Sequence, residues 1–240
     1  NIFVYYLASQ TGTVGHPAAQ NLSAGTGTFT GALTGTTSHF TSTGQVAKFE
    51  SSNNGLQVEF NYQNNTSRAF MGTFSNGLSL APSSASTAIN IDANGIVTKP
   101  LQPAFLVRPA SEQSNIAVGS AVTIVFGTEV FDNNADFASN TFTAPVTGKY
   151  QLNVSVRLNN VDSASSFYRL ELATSNGTYH GLIDPDFGQD AAYWTMNVCV
   201  LADMDASDTA FIRVTQGSGA AQTDIDSNAI YTYYSGYLVA

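Results

Sequence analysis

The amino-acid sequence predicts an all-β protein. Only 10% of the residues are charged, whereas uncharged Ser, Thr, Asn and Gly are plentiful and 43% of the chain is hydrophobic. Thr, Val, Tyr and Phe suit a pleated surface, and Gly, Asn and Ser suit the corners between strands. Short runs of alternating apolar and polar residues recur between such corners, which is the pattern of strands that each bury one face.

Residues 20–99 are predicted to form a thin β-rich shaft. Gly25 to Thr43 is a Gly/Thr tract whose single apolar residues, among them Phe29 and Leu33, cannot build a core alone. Short strands separated by Asn-Gly turns follow, and in one copy they would expose a face and an edge. We therefore expect three copies to intertwine, with Phe29 and Leu33 on a shared axis. A flexible linker before a small β domain is the alternative.

A domain boundary is predicted near residue 100. Two X-Pro steps, at Pro100 and Pro103, favour extended backbone. Beyond them the strands become longer and no helical periodicity competes, as in a β-sandwich. The predicted division is an N-terminal segment without an assigned role, the shaft and a C-terminal knob: residues 1–19, 20–99 and 100–240.

The stretch FTAPVTGKYQLNVSV is predicted to be a corner followed by a strand. Pro145 and Gly148 fit a tight turn, and Tyr150 begins the alternating run. Three apolar residues then fall on one face at period two: Leu152, Val154 and Val156.

The knob resembles the globular head of complement component 1q and its relatives, which share a jelly roll with tumour necrosis factor. Four elements of the family pattern occur here in order: an Ala-Phe entry strand, a Val-x-Phe strand, an Asn loop and a Phe-x-x-Pro-x-x-Gly-x-Tyr corner. The matching residues are Ala104, Phe105, Val122, Ile124, Phe126, Asn133, Phe142, Pro145, Gly148 and Tyr150. The closing YSGYL, from Tyr234 to Leu238, resembles the family's Phe-Ser-Gly-Phe-Leu. Before Asp208 this chain has Ser207 where the family has glycine.

This resemblance implies a TNF-like jelly-roll sandwich that forms a homotrimer with aromatic side chains along the seam. Tyr231, Tyr233 and Tyr237 are the expected seam residues of the knob, and Phe29 and Leu33 those of the shaft. The Gly/Thr tract is similar in composition to phage tail fibres and trimeric adhesins. A thin stalk with such a head describes a receptor-binding fibre.

Catalytic motifs are absent from the sequence. We find no Gly-x-Ser-x-Gly, no Gly-rich phosphate loop and no His-Glu-x-x-His. His180 is the sole histidine of the knob, which disfavours a Ser-His-Asp triad. The sequence therefore predicts a protein that is not an enzyme.

The net charge of −9 arises entirely after Pro100. An acidic surface repels phosphate backbones and anionic lipid, so we expect no nucleic-acid partner. No apolar run is long enough for a membrane span, and no membrane insertion is expected. The lone Cys199 excludes an internal disulfide, and its alternating apolar surroundings predict a buried side chain.

One acidic loop is a candidate calcium site. DPDFGQD supplies Asp184, Asp186 and Asp190, and calcium prefers several oxygen ligands. Some relatives of the complement head hold calcium near the trimer axis in this loop, so the resemblance implies a possible calcium ion here. Alternatively, these aspartates begin turns and keep the loop tips hydrated.

Aromatic residues around the same loop are candidates for glycan recognition, although each is equally expected in a core or seam: Tyr179, His180, Phe187, Tyr193 and Trp194.

The sequence thus predicts a homotrimeric phage fibre protein of the virion whose knob attaches to a host polysaccharide or protein receptor. The N-terminus would contact other virion proteins. A structural decoration or adaptor, or a secreted extracellular adhesion or signalling protein, are the alternatives.

Overall fold

The computed structural model describes residues 56–61, 68–74, 77–81 and 87–240, and all regular structure in these ranges is β-strand. Phe29 and Leu33 lie outside the described residues, as does the N-terminal segment 1–19. Intertwining of the shaft therefore stays a prediction.

Five short strands form an antiparallel meander in which each strand pairs with the next. They are β1 Leu56–Asn61, β2 Arg68–Phe74, β3 Gly77–Ala81, β4 Ile89–Ile91 and β5 Val97–Thr98. Register places Met71 opposite Leu80, and Leu78 opposite Ile91, which in turn lies opposite Val97. Since partners in register share a face, these side chains form one apolar face. Most of them are more than one-third exposed in a single chain.

The remaining strands build a sandwich of two six-stranded sheets. They are β6 Ala104–Arg108, β7 Ala121–Thr123, β8 Thr128–Asp132, β9 Phe137–Ala138, β10 Thr141–Thr143, β11 Gly148–Val161, β12 Tyr168–Thr174, β13 Gly177–Ile183, β14 Ala191–Met204, β15 Thr209–Gln216, β16 Asp224–Ile225 and β17 Tyr233–Leu238.

Sheet I has the order β14-β11-β17-β6-β8, with β16 beside β11, and sheet II has the order β13-β12-β15-β10-β9, with β7 beside β15. The pairings are antiparallel, and most neighbours are distant in sequence. This interleaving of distant strands in two sheets is the jelly-roll arrangement. The predicted all-β jelly-roll sandwich of the knob is confirmed.

Aromatic rings from both sheets meet at the centre of the core. The Phe105 ring of sheet I lies 4.8 Å from the Phe142 ring and 5.3 Å from the Phe137 ring, both of sheet II. The Tyr234 ring packs edge-on against Phe105 at 5.0 Å. Such offset and edge contacts stabilise aromatic clusters beyond simple burial. The predicted inward residues of β11 are also buried.

The predicted corner before β11 is present. Tyr150 donates its hydroxyl proton to the Val146 carbonyl at 2.8 Å, which fastens the turn to the strand. A Cβ at Gly148 would lie 2.7 Å from the Ala240 carbonyl oxygen. The corner therefore requires glycine because the backbone of the last residues passes too close for a side chain.

Cys199 is exposed, so the prediction of a buried thiol is wrong. Its neighbours Val198 and Val200 point into the core. Because successive side chains of a strand alternate between faces, Cys199 must point outward from sheet I.

Tyr234→Phe is expected to raise the free energy of unfolding by about 1 kcal/mol. The Tyr234 hydroxyl is buried and has no hydrogen-bond partner among the described residues, and its burial raises the pKa of the group. Urea denaturation measures the change. Tyr150→Phe is the control of opposite sign, since it loses the bond to Val146. Equal losses of stability in both variants would contradict the expectation.

Candidate binding surfaces of the sandwich

The outer face of sheet I carries three cross-strand rows of side chains that contain no ionised group on β14, β11 and β17. We call these rows the uncharged face. Strand register and alternation assign it the following residues: Ala104, Leu106, Phe131, Gln151, Asn153, Ser155, Asn197, Cys199, Leu201, Tyr233, Ser235 and Tyr237. Leu201 and Tyr237 are 53% and 50% exposed.

Ionised groups lie only at the margins of this uncharged face in the described part of the chain. Lys149 pairs with Asp203 at 3.1 Å along one margin. Arg157 lies at the other, and Arg108 ends the third row on β6, level with Tyr233. A surface rich in tyrosine and poor in charge is typical of the centre of a protein–protein interface.

The three tyrosines predicted for the trimer seam lie on this side of the sandwich. Tyr233 and Tyr237 share the outward positions of β17, and Tyr231 precedes them in a turn. The structure therefore groups these residues, while the trimer seam itself stays a prediction.

Arg157 is fixed between two tyrosine rings at the margin of the uncharged face. Its guanidinium carbon lies 4.0 Å from the centre of the Tyr231 ring and 5.7 Å from that of Tyr193. Its Nη2 pairs with the buried carboxylate of Asp226, and the Asp226 amide donates to the Arg157 carbonyl at 2.9 Å. This ion pair and the cation–π contacts hold both tyrosines in place.

The five residues predicted to bind a glycan do not form one surface. Phe187 and Trp194 stack, with ring centres 5.2 Å apart, whereas Tyr193 points to the other side of β14 and meets Arg157. Tyr179 and His180 occupy opposite faces of β13, because neighbouring residues in a strand alternate. Each of the five is nevertheless exposed.

The aspartates proposed as calcium ligands are engaged separately. Asp190 accepts from the amide and the hydroxyl of Ser163, at 2.9 and 2.8 Å, and these bonds lower the pKa of Asp190. Asp184 accepts from the amide of Asp186 at 3.3 Å. Within the described ranges, no group of three His, Cys, Asp or Glu side chains could hold a metal ion. Binding of calcium by this loop, near the axis of a trimer, therefore stays a prediction.

Sequence reasoning missed an ionic cluster on the outer face of sheet II. Glu171 of β12 lies between Arg169 of the same strand and Arg213 of β15. Charged residues two apart in a strand share a face, which is the local signal for Arg169 and Glu171. Arg213 joins them only through the pairing of β12 with β15.

No helix among the residues that the structure describes is long and apolar enough to cross a membrane.

Comparison with known proteins gives similarity to solved structures alone. No protein-family model matches the chain, and no curated protein matches it. The chain is similar to the globular domain of zebrafish complement 1qA, with 16% identity over 58% of this chain and 98% of that one, at a TM-score of 0.41. It is also similar to murine APRIL, with 10% identity over 57% of this chain and 99% of that one, at a TM-score of 0.44. The complement 1q head, which the sequence resembles, is thus among the solved structures to which the chain is similar.

Proposed function

We propose that the chain is a homotrimeric viral fibre protein, of a phage, whose knob attaches without catalysis to a polysaccharide or protein receptor on the host-cell surface. The observation that carries this proposal is the uncharged face of sheet I. It presents half-exposed Leu201 and Tyr237 on a chain whose net charge is −9.

Charge favours this face for contact between identical copies. Copies of an acidic chain repel each other wherever their carboxylates approach. The uncharged face brings no ionised side chains together, and it supplies Tyr233, Tyr237 and Leu201 for burial. Burying such apolar surface is the main favourable term in association.

The five-stranded meander supports association along the shaft as well. Its apolar face, with Met71, Leu78, Leu80 and Val97, is substantially exposed in one chain. Side-by-side copies would cover it and produce an elongated stalk. The stalk would present several weakly binding knobs together, and attachment would gain strength from multivalency.

Light scattering on the intact chain tests the assembly. We expect a mass three times that of the 25.3 kDa chain. Leu201→Arg should shift the mass toward that of one chain, because it places a charge within the uncharged face. Val125→Arg is the matched control, since Val125 is 51% exposed and lies outside this face. A wild-type mass of one chain would contradict the trimer.

The single thiol gives an independent readout of the same contact. Cys199 lies on the uncharged face, so a thiol reagent should react slowly with the assembled wild type. It should react fully with Leu201→Arg. Rapid reaction of the wild-type trimer would place the interface elsewhere.

Attachment is tested by binding of the intact protein to whole cells, with soluble surface polysaccharide as competitor. Competition by the polysaccharide supports a glycan receptor. A trimer that binds no cell but still assembles into particles would favour the structural decoration or adaptor.

A further inference from the structure

We propose that the outer face of sheet II binds a polysaccharide with spaced carboxylates, through Arg169 and Arg213. We call these residues the arginine pair. The inference rests on the proposed attachment function and deepens it by naming the class of receptor.

One buried carboxylate orients both arginines. Glu171 is 6% exposed. Its Oε1 lies 3.3 Å from the Arg169 Nε, and its Oε2 accepts from the Arg213 Nε at 3.2 Å. The Arg213 Nε thus donates to Glu171, whereas the Arg169 Nε lies within ion-pair distance of Glu171 but has no hydrogen-bond partner among the described residues. Within the described part of the chain, the terminal nitrogens of neither arginine donate a hydrogen bond.

Each of the two guanidinium groups makes a cation–π contact with an aromatic ring. The guanidinium carbon of Arg169 lies 5.6 Å from the centre of the Phe167 ring, and that of Arg213 lies 5.6 Å from the centre of the Phe211 ring. Both arginine side chains remain about one-third exposed. A cation that is already held in place loses little conformational entropy when a ligand binds.

The side chains around the arginine pair carry a net positive charge, which attracts an anion. Glu171 neutralises one of the two guanidiniums, and it is the only acidic residue at the outward positions of β7, β12, β13 and β15. This positive surface lies on a chain of net charge −9. Carboxylates are the natural partners of guanidinium groups, since two parallel hydrogen bonds match their geometry.

The surroundings of the arginine pair suit a sugar. Register places Thr123 beside Arg213, and Thr215 beside Arg169. The Thr215 hydroxyl is buried and has no hydrogen-bond partner among the described residues. On the neighbouring strand β13, Leu182 lies opposite Arg169, and His180 lies opposite Glu171. Hydroxyl groups and apolar surface next to a fixed cation match a carboxylated sugar. A densely charged phosphate polymer would be repelled by the acidic knob.

Hyaluronan, which carries one carboxylate per two sugars, is the probe. We expect the intact protein to bind immobilised hyaluronan. It should not bind hyaluronan whose carboxylates have been reduced to alcohols. Arg213→Gln should weaken this binding at least tenfold with an unchanged trimer mass. Lys149→Gln is the matched control, because it removes an exposed cation from the other sheet; it should leave binding unchanged.

Two further variants keep the test decisive if Arg213→Gln does not fold. Arg169→Gln retains the bond between Arg213 and Glu171. His180→Glu adds a negative charge at an exposed position opposite Glu171 without touching the core. Both should also weaken hyaluronan binding. No wild-type binding, or an equal loss in Lys149→Gln, would overturn the site.

Whole-cell binding separates this inference from the proposed function. If the wild type and the double variant Arg169→Gln/Arg213→Gln attach to cells equally, attachment stands and the arginine pair is not the receptor site. If the wild type attaches to no cell while hyaluronan binding depends on Arg213, the site stands and the attachment function fails.

Discussion

Phe105→Ala is expected to lower the free energy of unfolding by about 4 kcal/mol. Phe105 is 1% exposed, and it joins the two sheets through its ring contacts with Phe142 and Phe137. Truncation removes these contacts and leaves a cavity that strands fixed on both sides cannot close.

Denaturant midpoints measured in the Leu201→Arg background test this expectation, because that background removes the contribution of assembly. Phe131→Ala is the control, since Phe131 is 46% exposed on the adjoining strand β8. It should change stability by less than about 1 kcal/mol. Similar losses for the two phenylalanines would show that the aromatic cluster does not hold the sheets together.

Asp226→Ala is expected to lower the free energy of unfolding by about 3 kcal/mol. Asp226 is 6% exposed, and the Arg157 side chain keeps 21% of its surface exposed. Removing the carboxylate leaves a largely desolvated cation with no counter-charge. The expected loss is at the lower end of the range for such pairs because water still reaches part of Arg157.

The matched control is Asp203→Ala, which breaks an exposed ion pair with Lys149. It should cost less than about 0.5 kcal/mol. Arg157→Met combined with Asp226→Ala should recover part of the loss, since no unpaired charge then remains. Equal effects of the two aspartate variants in urea denaturation would show that burial does not strengthen the Arg157 pair.

The sequence predicted which residues of the knob are buried wherever one set of alternate residues in a strand is apolar and the other set is polar. In β11 the alternation from Tyr150 to Val156 identified the buried positions. In β14 both phases carry apolar residues: Met196 and Val198 on one side, Cys199 and Leu201 on the other. The strand pairing decides which side is buried, and the local pattern around Cys199 could not reveal it.

The candidate surfaces were harder to predict because they depend on strand register. Neighbouring aromatic residues such as Tyr193 and Trp194 were grouped by sequence, but a strand sends them to opposite sides. The cluster around Glu171 arises in the reverse way. Arg213 is remote in sequence and reaches Glu171 only through the pairing of β15 with β12.

The separation of the two outer faces has an evolutionary consequence. The uncharged face draws its side chains from sheet I, and the arginine pair draws its own from sheet II. Substitutions in one set have no direct contact with the other, so their effects should add. The two proposals made above therefore predict that a lineage carrying this sandwich could change its specificity for sugars through a few residues of sheet II without changing its quaternary structure.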